Sequence, residues 1–70
     1  MDDETKQLLH VQLSMLKQTM KDNRVILALV VDRSEADKSI ICFIDKEQYL
    51  SERKMSGISV SLTDFNEDLI

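Results

Sequence analysis

Two dense apolar runs constrain this chain more than any other feature. Arg24 to Asp32 reads R-V-I-L-A-L-V-V-D, and Ser39 to Asp45 reads S-I-I-C-F-I-D. A charged connection, Arg33 to Lys38, separates them. Both runs are short and rich in β-branched residues, which favours strands over a buried helix. Neither alternates with polar residues. Val25, Leu27, Leu29 and Val31 fall on one side of the first strand, and Ile26, Ala28 and Val30 on the other. The second behaves alike, with Ile40, Cys42 and Ile44 opposite Ile41 and Phe43. An antiparallel strand with one wet face would alternate. The pattern therefore predicts a β-hairpin covered on both faces, with its first strand in the centre of a sheet.

The flanking segments read as elements laid on that hairpin. Asp2 to Asp22 has no Gly or Pro, a capping Asp at its start and Lys17 and Lys21 near its end, so it is expected to be a helix of about five turns. Its apolar residues make two stripes. Leu9, Leu13, Leu16 and Met20 form one, suited to packing on the hairpin, and Leu8, Val11 and Met15 lie roughly 130° around the axis. The connection Asp32 to Ser39 lacks the residues of a two-residue turn and is expected to be a longer loop with a helical turn in it. Asp45 to Met55 reads as a second, short helix, with Asp45 at the N-cap, Gln48 three residues later, and Gly57 placed as a C-terminal glycine. Ile58, Val60 and Leu62 alternate with serines and predict an edge strand with the apolar residues facing in.

The resulting order is α-β-β-α-β, an α+β fold with a long N-terminal helix packed on a small three-stranded sheet. A right-handed crossover through the second helix predicts the sheet order 2-1-3, and a simple meander 1-2-3 is the alternative. Residues 1–62 are read as a single domain and residues 63–70 as an acidic C-terminal tail.

Seventy residues bury only a thin core, and one cysteine, Cys42, excludes an internal disulfide. Both faces of the hairpin are apolar, more than one long helix can cover. A second copy with two-fold symmetry is the expected remedy. Interface candidates are Leu8, Val11 and Met15 on the helix and Ile26 and Val30 on the sheet. Phe65, Leu69 and Ile70 are candidates for docking the tail into a partner's groove.

The same residues argue against several function classes. Outside residues 63–70 the chain is near charge balance, 9 bases against 10 acids, and shows no basic stripe for nucleic acid. One glycine in the chain provides no Gly-rich phosphate loop. His10 has no ligand-type residue three or four positions away, and Cys42 sits among aliphatic neighbours with no activating base in its sequence surroundings, so neither a metal site nor a catalytic group is expected. No cofactor is expected. No apolar run approaches a membrane span, and the absence of an export signal suggests a reducing, cytoplasmic setting. The reading is a small non-enzymatic interaction protein, a homodimer that binds and modulates another protein. A nucleic-acid-associated regulator or DNA mimic is the alternative.

Overall fold

The computed structural model describes residues 1–67. Helix α1 (Asp3–Asp22) opens the chain. Asp2 caps it, its carboxylate accepting from the Thr5 N–H at 2.7 Å. Asn23 ends it, donating its backbone N–H to the Thr19 carbonyl. The chain turns at Arg24, whose φ of 54° lies in the left-handed region, and enters strand β1 (Val25–Val30). Asp32 organises the next loop. Its carboxylate accepts from the Ser34 N–H, the Ser34 hydroxyl and the Glu35 N–H, and a single 3-10 turn follows at Ala36–Lys38. Strand β2 (Ile40–Asp45) runs directly into helix α2 (Lys46–Glu52). Strand β3 (Gly57–Ser61) and the short helix α3 (Leu62–Asn66) complete the described chain.

The molecule is thus an α+β fold with a long N-terminal helix and a three-stranded antiparallel sheet. The sheet order is β1-β2-β3, a meander. This overturns the expected order 2-1-3 and takes β1 out of the centre. The reason lies in the second connection. A parallel crossover needs a dozen or more residues. Here residues 46–56 carry two turns of helix and a reversal, and return the chain antiparallel beside β2. Backbone bonds pin both ends of that return: Asp45 N–H to the Ser56 carbonyl at 3.1 Å, and Leu62 N–H to the Ser39 carbonyl at 2.7 Å.

Helix α2 begins as its capping box predicts, with the Gln48 N–H donating to the Asp45 carboxylate at 2.9 Å. It ends sooner than expected. Arg53, at φ 56°, takes the left-handed C-cap position and donates its N–H to the Tyr49 carbonyl. Gly57 is then free to open β3.

Register fixes which side chains share a face. Leu27 pairs with Phe43, and Phe43 with Ile58; Leu29 pairs with Ile41, and Ile41 with Val60. Opposed residues in antiparallel strands point the same way. One face therefore carries Val25, Leu27, Leu29, Ile41, Phe43, Ile58 and Val60, with Asp45 at one end. The other carries Ile26, Ala28, Val30, Ile40, Cys42, Ile44, Gly57 and the two serines of β3.

Little of this apolar surface is buried within one chain. Among the described residues Ile44 is the one fully buried hydrophobic side chain, at 1% exposure. The expectation that one stripe of α1 would pack on the hairpin is met only at its C-terminal end, where Met20 is half-buried and the rest of the helix is exposed. The two-residue joint Asn23–Arg24, with Arg24 in the left-handed region, links α1 to β1.

Candidate interaction surface

The exposed apolar residues fall into three parts. The first is the sheet face of Leu27, Leu29 and Ile58, exposed by 55%, 60% and 69%, with Ile41, Phe43 and Val60 half-buried between them. The second is an open groove of about 580 Å³ between the last turns of α1 and the start of β1. Leu13, Leu16 and Met20 line it from the helix, and Val25, Ile26 and Leu27 from the strand. The third is the far side of α1, with Leu8, Val11 and Met15 all more than half exposed.

The amount of surface is as informative as its character. The accessible area of the chain is 6196 Å². A compact monomer of 8.1 kDa has about 4,500 Å² by the usual scaling of area with mass. The radius of gyration is 14.4 Å, against about 11 Å for a compact chain of this length. The excess area, roughly 1,700 Å², is about twice the 800 Å² that each partner buries in a standard protein interface.

Strand β1 adds a backbone component. The Arg24 carbonyl accepts from the Lys46 N–H at 3.0 Å. Bonded and non-bonded pairs alternate in an antiparallel ladder. From this anchor, Ile26–Ile44, Ala28–Cys42 and Val30–Ile40 are the bonded pairs of β1 and β2. Val25, Leu27 and Leu29 consequently direct their N–H and C=O groups to the outer edge, where no described strand pairs with them.

The residues singled out from sequence are distributed over these parts. Leu8, Val11 and Met15 lie on α1, away from the groove that Leu13, Leu16 and Met20 line. Ile26 and Val30 share the sheet face of Ile44. Ile26 is half-buried and Val30 is 46% exposed. Phe65 is on α3 and 68% exposed, and Leu69 and Ile70 lie outside the described residues. The first residues of the acidic segment are tied down: the Thr63 hydroxyl donates to the Asp37 carbonyl, and Leu62 to Ser39 as above.

Sequence reasoning missed Leu27, Leu29 and Ile58. The alternation of β3 was read as pointing Ile58 inward, whereas it stands on the open face. The signal for that face was present in the unbroken run Val25–Val31, but pattern distinguishes covered from uncovered surface only when the covering element is known.

Ionisable groups here are engaged in local structure. Hydrogen bonds from Thr5 hold the Asp2 carboxyl below its ordinary value, and those from Ser34 and Glu35 do the same for Asp32. Asp2 is an exposed helix cap, and Asp32 is a half-buried turn residue. His10 is exposed on α1, and Cys42 is half-buried on the Ile44 face. Among the described residues no cluster of three or more His, Cys, Asp or Glu side chains is arranged to hold a metal ion, and no helix is long and apolar enough to cross a membrane. No protein-family model, curated protein or solved structure matches the chain.

Proposed function

We propose that this chain is a non-enzymatic interaction module, a homodimer that binds and modulates another protein. The observation that supports it is the excess of apolar surface. One buried isoleucine is too little to hold sixty-seven residues in one arrangement, because ordering each residue costs about 1–2 kcal/mol of conformational entropy. A second chain supplies the further burial in this reading, and at roughly 25 cal/mol per Å² the apolar share of the excess area is the natural source. A symmetric contact uses one of the three parts. The stripe Leu8, Val11, Met15 remains as the surface for a different protein, in the manner of an amphipathic helix laid into a groove.

Light scattering on a sizing column, over a hundredfold range of loading concentration, tests the reading. The expected mass is twice the 8.1 kDa of the chain. A well-ordered monomer at all concentrations would overturn the proposal.

A further inference from the structure

The outer edge of β1 has no described strand against it, and α1 borders it at Val25 to Leu27. Natural sheets blunt such edges with Pro, Lys, bulges or short strands. Here six residues, Val25 to Val30, pair in an uninterrupted register on their inner side, and Val25 to Val31 carry no charge and no proline. The alternation of the ladder leaves Val25, Leu27 and Leu29 with both donor and acceptor directed outward. Three residues spaced by two, centred on Leu27, make this edge complementary to itself.

We propose that two copies of this chain join through their β1 edges, antiparallel about a two-fold axis at Leu27, to form one six-stranded sheet. The proposal rests on the homodimer reading and names its contact. Leu27 meets the second copy's Leu27, and Val25 meets the second copy's Leu29. Each is a bonded pair exchanging two N–H···O=C bonds. Because opposed residues point the same way, the two open faces of Leu27, Phe43 and Ile58 become one continuous face.

The groove beside β1 fits this arrangement. It opens at Val25 and Leu27, where the second copy's Leu29 arrives, and Leu13, Leu16 and Met20 supply apolar contacts for that side chain. Arg24 and Asp32 flank the strand, and Lys17 and Lys21 stand on the helix wall of the groove. In an antiparallel pair each Arg24 comes near the other copy's Asp32 end.

Cysteine cross-linking reads the register directly, in a Cys42→Ala background that leaves one thiol per chain. Leu27→Cys places two cysteines in one bonded pair with Cα atoms about 5.5 Å apart, within the disulfide range of about 4.4–6.8 Å. It should convert almost wholly to covalent dimer under mild oxidation. Val25→Cys should not, because its own copies lie four residues apart, about 14 Å. A mixture of Val25→Cys and Leu29→Cys chains should cross-link to each other. Ile58→Cys, separated by five strand spacings or about 24 Å, should stay uncross-linked. Light scattering of each reduced variant separates the outcomes. A dimer in which Leu27→Cys cross-links no faster than Ile58→Cys overturns edge pairing and leaves the homodimer reading intact. A well-ordered monomer overturns both. Cross-linking of Val25→Cys to itself overturns the register about Leu27.

Discussion

Gly57 sits against the Phe43 carbonyl so closely that a Cβ at Gly57 would stand 1.9 Å from that oxygen. Its φ of 155° is also one that L side chains rarely adopt. Gly57 pairs with Ile44, the buried residue of the sheet, so the contact lies where β2 and β3 begin to run together. Gly57→Ala is expected to destabilise the fold by about 2 kcal/mol or more, since the neighbour is backbone and cannot swing aside. Urea denaturation followed by circular dichroism checks this. A change below about 0.5 kcal/mol would mean that β3 does not approach β2 in this way.

Ile44→Ala should cost about 2–5 kcal/mol, the range for truncating a buried aliphatic side chain. In a chain with so small a core this approaches the total stability, and loss of the cooperative unfolding transition is the expected result. Ile58→Ala, on the open face, should be milder in dilute solution.

Asp45 caps α2 at the point where β2 ends, and Asp45→Ala should cost about 1 kcal/mol through loss of the bond from the Gln48 N–H. Asp45→Asn or Asp45→Ser should restore most of it. If all three substitutions are equivalent, the capping hydroxyl or carboxylate oxygen has no role.

Acid should weaken the fold through Asp2 and Asp32. Both carboxyls are lowered from the ordinary 3.8 by hydrogen bonds to the charged form. A carboxyl lowered on folding contributes stability above the unfolded value and loses it as pH falls through the folded value. Their contribution is therefore complete about one pH unit above 3.8 and is lost only below 3.8, as pH falls through the folded value. Carbon-detected NMR titration should find both below 3.8, and Asp32→Asn should remove that part of the acid sensitivity. An Asp32 titrating above 3.8 would contradict the turn described here.

The thermal midpoint should rise with protein concentration, because association that favours the folded chain stabilises it by mass action. A midpoint constant over a hundredfold range would count against a second chain completing the fold.

Local signals carried most of the architecture. Asp2 and Asn23 bound α1 as caps, Asp45 and Gln48 start α2, and the two apolar runs are paired strands. Each depends on residues within a few positions of one another. The failures were of longer range. Gly57 resembles a helix-ending glycine by position, but Arg53 had already ended α2 through the Tyr49 carbonyl. The doubly apolar β1 was read as central because burial was sought within one chain. It lies at an edge, and no pattern in a sequence says whether a covering surface belongs to the same molecule or to another. Ile26 and Val30 share a strand with Leu27 and Leu29 and point to the opposite face, where Val30 is also exposed.

The two sides of this sheet are chemically unequal. The β3 ladder to β2 runs through Ser56, Ile58, Val60 and Leu62, which leaves the N–H and C=O groups of Gly57, Ser59 and Ser61 directed outward, and α3 begins at Leu62. A sheet with two adhesive sides would lengthen without limit, adding chain after chain into a filament. Under the proposed pairing of β1, whether growth stops after a single addition is decided at β3, where the backbone groups of Gly57, Ser59 and Ser61 also point outward.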